Sequence, residues 1–98
     1  MARVEITERA LTDLERLFDF IAEHDPRRAR QQLLSVRRAL ELLGDHPLMG
    51  RNAEDGRREL ILSRGRYGYI AKYRWLQRED VVLILAVRRQ LEAGYFEE

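Results

Sequence analysis

The chain contains no cysteine, which excludes a disulfide framework and any thiolate metal site. Its two histidines, His24 and His46, do not form a His-x-x-x-His or similar pair, so no metal site is expected. Glycine-rich phosphate loops are missing as well, and no cofactor is expected. The longest apolar run, Val81–Val87, is far too short to span a membrane. Since the N-terminal segment also lacks the apolar core of a signal peptide, the sequence predicts a cytoplasmic protein.

Arginine is what the chain has in abundance. Of its 18 basic residues, Lys72 alone is a lysine, and the formal net charge is +1. The 98 residues, 45% hydrophobic and 36% charged, predict one globular domain over residues 1–98. Acidic side chains prevail in residues 1–25 and basic ones in the remainder. Because a guanidinium binds carboxylates and phosphates in a bidentate manner, a surface with a basic side is expected.

The N-terminal part predicts a strand followed by a helix. Residues Ala2–Ile6 alternate between apolar and polar side chains, which indicates a short strand. Thr7 then fits the N-cap of a helix. Apolar residues recur at helical spacing from about Glu8 to Glu23, which predicts an amphipathic first helix.

A second helix follows almost at once. Asp25 can cap it, with Pro26 at its first position, and Gly44 fits its end. Because the link between the two helices is so short, they are expected to be antiparallel neighbours in a helical hairpin.

The remainder of the chain predicts strands. A loop rich in glycine, proline, asparagine and aspartate precedes three of them, Arg58–Ser63, Tyr67–Trp75 and Val81–Val87, in an antiparallel meander. The last run shows no alternation, so it should be buried on both faces in the middle of the sheet. Arg88 and Arg89 should emerge just beyond its end. The fold class is therefore α+β, with one sheet and helices on one of its faces.

Aromatic side chains mark one face of the middle predicted strand, and Lys72 and Arg74 mark the other. The aromatic residues are Tyr67, Tyr69, Tyr73 and Trp75. Tyrosines on a strand that faces helices are usually core residues, and this is the favoured interpretation. A platform for stacking nucleic-acid bases remains the alternative.

Arginines concentrate in two other places. Those of the second helix are either a solvated face or a docking surface for an acidic partner: Arg27, Arg28, Arg30, Arg37 and Arg38. Those of the strand half can gather into a basic patch for phosphates or acidic peptides: Arg51, Arg58, Arg64, Arg66, Arg74, Arg88 and Arg89. Arginine is a poor proton donor or acceptor, and the nearest candidate for that role is Tyr95.

Several motifs in a fixed order resemble the RelE/ParE superfamily of type II toxin–antitoxin toxins. They are the loop Pro47-x-x-Gly50-Arg51, then Arg58-Glu59-Leu60, then Tyr73-Arg74, then the terminal strand "VVLILAVRR". The resemblance covers nearly the whole chain. It implies a toxin that a ParD-like antitoxin holds inactive in a hetero-oligomeric complex.

Two activities occur in this superfamily. ParE-like members bind DNA gyrase and block it without covalent chemistry, whereas RelE-like members cleave messenger RNA on the ribosome. Many relatives carry a histidine shortly after the last strand, where this chain has Arg89. The prediction is therefore a gyrase inhibitor that is not an enzyme, with a ribosome-dependent endoribonuclease as the alternative. A small basic binding domain without toxin activity is a third possibility.

The resemblance also implies which residues make contacts. For target binding they are Arg51, Arg58, Arg74, Arg88 and Arg89. For a nuclease, the catalytic residues would be Arg74, Arg88 and Tyr95. For the antitoxin, whose tail would cover the helices, they are Leu14, Phe18, Ile21, Leu33 and Arg37.

Overall fold

The helices and strands follow the predicted order, with one short strand added. The computed structural model describes residues 1–65 and 68–90. The strands are β1 (Arg3–Ile6), β2 (Arg51–Asn52), β3 (Arg58–Ile61), β4 (Tyr69–Leu76) and β5 (Val81–Arg89). The helices are α1 (Glu8–Ala22) and α2 (Pro26–Asp45), and a 3₁₀ turn spans Glu54–Gly56. None of the helices in these two ranges is both long and apolar enough to cross a membrane.

The five strands form one sheet in the order β1-β5-β4-β3-β2. β1 runs parallel to β5, and every other pair of neighbours is antiparallel. β5 therefore lies inside the sheet, as its unbroken apolar sequence predicts. Val82, Ile84 and Val87 are fully buried, and Val81 and Ala86 are nearly so. The α+β class is confirmed.

Both helices begin at the predicted caps. The Thr7 side chain accepts a hydrogen bond from the Ala10 backbone N–H, and Asp25 accepts one from Arg28. Each helix buries an apolar stripe against one face of the sheet. The buried residues of that core include Leu17, Ile21, Val36, Leu43, Tyr69, Tyr73, Val82, Ile84 and Val87.

The aromatic residues of β4 confirm the core interpretation. Tyr69 and Tyr73 are buried in the core, and Trp75 packs against its edge. Tyr67 lies outside the described residues. The stacking-platform alternative is thereby excluded for the buried pair, because a nucleic-acid base cannot reach a buried ring.

Three predictions of element boundaries were wrong. β5 does not end at Val87, because β4 continues to pair with it and places Arg88 opposite Ile70 and Arg89 opposite Tyr69. Arg88 and Arg89 are therefore half-buried members of the strand rather than residues beyond it. β3 ends at Ile61 instead of Ser63. The Ser63 hydroxyl accepts hydrogen bonds from the Gln32 side chain and from the Tyr69 backbone N–H. The predicted loop contains β2, which pairs with β3.

Candidate functional site

The face of the sheet opposite the helices, called the far face below, collects positive charge. Strand alternation and register place five cationic side chains on it: Arg51, Lys72, Arg74 and Arg88, together with Arg3 on the edge strand β1. Lys72 lies opposite Glu59 on β3 and Ala86 on β5. Three of the five arginines predicted to bind the target thus share one face.

Neighbouring groups hold two of these arginines in place. The Arg51 guanidinium forms an ion pair with the Glu59 carboxylate at 3.0 Å. Arg74 donates to the Asp55 backbone carbonyl at 3.0 Å. Asp55 and Gly56 have left-handed φ angles of 55° and 72°, so the 3₁₀ turn that presents this carbonyl needs residues that tolerate the conformation. The far face is therefore partly preorganised.

Arg58 and Arg89 lie on the other face of the sheet. The Arg58 guanidinium donates to the Gly50 carbonyl at 2.8 Å and, more weakly, to the Leu48 carbonyl at 3.4 Å. The Arg89 guanidinium carbon lies 4.6 Å from the centre of the Phe20 ring on α1. Their position separates these two arginines from the other three, and sequence periodicity alone did not distinguish them.

The Pro47-x-x-Gly50-Arg51 motif owes its shape to Tyr73. The Tyr73 hydroxyl accepts a hydrogen bond from the Gly50 N–H at 2.9 Å and donates one to the Pro47 carbonyl at 2.7 Å. A Cβ on Gly50 would lie 2.7 Å from the Tyr73 ring and 2.7 Å from the Glu59 carbonyl oxygen. Only glycine fits this close approach, and the loop leads directly into Arg51.

Both described tyrosines of β4 are poor proton-transfer groups near neutral pH. Burial raises the pKa of Tyr69 to about 12, although the Arg89 and Arg16 guanidiniums partly oppose the increase. Burial also raises the pKa of Tyr73, against the opposing effects of its Gly50 hydrogen bond and of Arg58. Tyr95, the predicted candidate for this role, lies outside the described residues.

The histidines offer no metal centre within residues 1–65 and 68–90. His24 lies at the tip of the helical hairpin, where its Nδ1 is 3.2 Å from the Phe20 carbonyl. His46 caps the C-terminus of α2. No group of three potential metal-binding side chains occurs in that part of the chain.

A separate apolar groove opens between α1, α2 and β1, and it is called the helix groove below. Its volume is about 850 Å³. Apolar side chains supply most of its lining: Met1, Val4, Ile6, Leu11, Leu14, Phe18, Leu33, Leu34 and Leu40. Charged side chains also contribute, namely Glu15, Asp19, Arg37 and Glu41. An exposed apolar surface of this kind is typical of a protein interaction site.

Four of the five residues predicted to bind the antitoxin line the helix groove. They are Leu14, Phe18, Leu33 and Arg37. The structure places Ile21 in the core instead, where its side chain is only 2% exposed. Periodicity identified the apolar stripe of α1 but did not tell its inner edge from its outer edge. The five arginines of α2 are exposed, so their solvated-face and docking interpretations both stand.

Comparison with known proteins agrees with this architecture. Toxin RelE3 of Caulobacter vibrioides is 33% identical over 92 residues, covering 94% of this chain and 98% of the relative. Toxin RelE1 of the same organism is 33% identical over 73 residues, covering 74% of this chain and 78% of the relative. A structure from the chromosomal ParDE toxin–antitoxin system of P. aeruginosa shares the fold with a TM-score of 0.76. It is 24% identical and covers 91% of this chain and 96% of that one.

The family comparison extends over almost all of the chain. The family model for the ParE toxin of the type II toxin–antitoxin system parDE matches residues 4–94. This match includes both helices, strands β2 to β5 and all of β1 except Arg3. The chain therefore belongs to the ParE toxin family, within the RelE/ParE superfamily, and is a toxin of a type II toxin–antitoxin system.

Proposed function

We propose that this toxin inhibits DNA gyrase by non-covalent binding through its far face. The observation that carries the proposal is that three of the predicted target-binding arginines share the far face, whereas the two buried tyrosine hydroxyls lie on the opposite side of the sheet. Arg51, Arg74 and Arg88 stand on the far face, while the hydroxyls of Tyr69 and Tyr73 are on the core side with raised pKa values. Permanent cations on a partly preorganised surface favour recognition of carboxylates or phosphates over acid–base catalysis.

A ribosome-dependent endoribonuclease is the second candidate. The names of the curated relatives, which are toxins RelE, favour it, and so does the joint position of Arg74 and Arg88 on one face. Those two arginines would hold the phosphate, and Tyr95 would supply the proton transfer. Glu59 is a weaker choice for that step because its carboxylate is already paired with Arg51.

Two assays on the same purified protein separate the candidates. The first measures inhibition of gyrase supercoiling, and the second measures cleavage of ribosome-bound message. Supercoiling inhibition without message cleavage is expected. Message cleavage with gyrase unaffected would replace the first candidate by the second. The absence of both effects in a folded sample would leave a binding domain without toxin activity.

We further propose that a ParD-like antitoxin neutralises the toxin by docking in the helix groove. The groove combines exposed apolar side chains such as Leu33, which is 52% exposed, with the cation of Arg37. Apolar side chains supply most of its lining, and its charges are mixed, with Arg37 beside Glu15, Asp19 and Glu41, so it fits a segment that carries apolar anchors. If this segment orders on binding, calorimetry should detect a large negative heat-capacity change.

A further inference from the structure

β5 contains a bulge that decides which face of the sheet Arg88 occupies. Ile84 pairs with Tyr73 and Ala86 pairs with Lys72, so Leu85 is an extra residue without a partner on β4. The bulge resets the alternation of side chains between the two faces. Ile84 and Val87, three positions apart, both enter the core. In an unbulged strand, residues 84, 86 and 88 would share a face, and Arg88 would point toward the helices.

Two side chains of the α1 region hold the backbone at this bulge. Thr7, the N-cap of α1, directs its hydroxyl to the Ile84 carbonyl at 2.8 Å and lies 3.2 Å from the Leu85 carbonyl. Asp13, in the second turn of α1, accepts a hydrogen bond from the Val87 N–H at 2.9 Å. Thr7 thus holds the backbone at Ile84 and Leu85, and Asp13 holds it two residues beyond the extra residue.

Beyond Ile84, the Asp13 carboxylate provides the hydrogen-bond acceptor that a neighbouring strand would otherwise provide to β5. β1 ends at Ile6, which pairs with Ile84, so beyond Ile84 no further residue of β1 accompanies β5. The Val87 N–H needs an acceptor at this edge, and Asp13 supplies it. Asp13 is only 5% exposed, and a carboxylate is costly to bury without such a bond. The hydrogen bond from the Val87 N–H offsets the free-energy cost of burying this carboxylate.

We infer that Asp13 is a positioning residue, which fixes the bulge at Leu85 and thereby places Arg88 on the far face. The inference rests on the proposed function only for its effect on activity. Whether Asp13 determines the face of the sheet on which residue 88 stands does not depend on what the far face binds. Bulges commonly redirect a side chain at a functional site, and here α1 carries the side chain that sets the redirection.

The geometric claim can be tested by crosslinking, because the chain has no native cysteine. Arg89 lies over Phe20, so a Phe20→Cys/Arg89→Cys pair should react with a short bifunctional thiol reagent in the parent background. A Phe20→Cys/Arg88→Cys pair should react poorly. Adding Asp13→Ala should lower the first yield and raise the second. Unchanged yields in a folded Asp13→Ala protein would overturn the inference.

The functional claim can be tested by rescue with the conservative variant. Asp13→Asn keeps an oxygen that can accept from the Val87 N–H, so it should inhibit the target nearly as well as the parent. Asp13→Ala should weaken inhibition by about tenfold or more, as expected when a charged contact at an interface is lost. Thr12→Ala is the matched control on α1, because within residues 1–65 and 68–90 the Thr12 hydroxyl donates its hydrogen bond to the Glu8 carbonyl of its own helix. Equal losses for Asn and Ala would overturn the positioning role.

Deleting Leu85 gives a second test that does not depend on Asp13. The deletion removes the extra residue, yet it leaves every pair between β4 and β5 matched, including Arg88 with Ile70. An unbulged strand would then place Arg88 on the far face without help. The deletion should therefore restore target inhibition to Asp13→Ala. If it restores folding but not inhibition, the inference is overturned.

If Arg88→Ala itself leaves inhibition intact while the crosslinks change as expected, the proposed function fails and the positioning claim stands.

Discussion

Tyr69 and Tyr73 lie on the same face of β4, but their hydroxyls differ in hydrogen bonding. The Tyr73 hydroxyl joins the backbones of Gly50 and Pro47 through two hydrogen bonds. The Tyr69 hydroxyl is buried and, within the described part of the chain, makes no hydrogen bond. One tyrosine therefore holds the loop that leads to Arg51, and the other contributes mainly its ring to the core.

Removing the two hydroxyls should have different effects on stability. Tyr73→Phe leaves the Gly50 N–H and the Pro47 carbonyl without their partner, and it should lower the free energy of unfolding by about 1–3 kcal/mol. Tyr69→Phe removes a buried hydroxyl that has no hydrogen-bond partner within residues 1–65 and 68–90, and it should be neutral or stabilising by up to about 1 kcal/mol. Urea unfolding of both variants provides the measurement. An equal loss in the two variants would contradict the role assigned to Tyr73.

Alkaline pH should destabilise the protein through these tyrosines. The pKa of Tyr69 rises from 10.0 in the unfolded chain to about 12 in the fold, because burial disfavours the phenolate. Its contribution is fully present below pH 10 and is lost as the pH rises from 10 to about 12, by roughly 2–3 kcal/mol in all. Tyr73 adds to the loss in the same direction. Unfolding free energies between pH 9 and pH 12 should fall less steeply for Tyr69→Phe than for the parent, and parallel profiles would count against the buried phenol.

The two adjacent arginines of β5 should have different roles, Arg88 in target binding and Arg89 in stability. Arg88→Ala should weaken the proposed gyrase inhibition by about tenfold or more, because Arg88 stands on the far face. Arg89→Ala should instead lower the free energy of unfolding by about 0.5–2 kcal/mol, because it removes the guanidinium over Phe20. Arg78→Ala, in the exposed turn before β5, is the control for loss of one positive charge.

Supercoiling assays and thermal melting of the three variants give both readouts. Arg88→Lys adds a further distinction, because lysine keeps the charge but not the planar bidentate fork. The predicted role of Arg89 in target binding is tested by the same series. If Arg89→Ala loses as much inhibition as Arg88→Ala without a change in melting temperature, the separation of the two roles is wrong.

The helix groove should tolerate a charge in the free toxin but not in the complex. Leu33 lines the groove and is 52% exposed, whereas Leu42 is 47% exposed on the same helix and does not line it. Leu33→Asp should therefore weaken antitoxin binding by about 2 kcal/mol or more, while Leu42→Asp should leave it within about 0.5 kcal/mol. Isothermal titration calorimetry with the antitoxin measures both affinities. A similar loss at Leu42 would place the antitoxin elsewhere on α2.

The helices were predictable from sequence because their signals are local. Thr7 and Asp25 cap the helices that follow them, and Pro26 stands where a first-turn proline fits. The signal for β2 was too short to detect, since two residues cannot display an alternation. Its position depends on pairing with β3, which is a contact between distant parts of the chain.

The candidate site was predictable as a set of residues but not as a surface. Every residue from Val81 to Val87 is apolar, so the extra Leu85 leaves no trace in the hydrophobic pattern. The faces of Arg88 and Arg89 could not be assigned without the register against β4. Asp13 was missed for a related reason. In the sequence, Asp13 occupies an ordinary polar position of an amphipathic helix. Its role as hydrogen-bond acceptor for the Val87 N–H becomes visible only when the position of β5 is known.

The parallel pairing of β1 with β5 has a consequence for the order of folding. β1 is made first, but its neighbour begins at residue 81, so the sheet cannot close around its N-terminal strand until most of the chain has been synthesised. Contacts of such large sequence separation form slowly, because loop closure is entropically costly. Val4 and Ile6 of β1 also line the helix groove. The groove is thus completed by the same late step that completes the sheet, and a nascent helical hairpin alone does not form the complete groove.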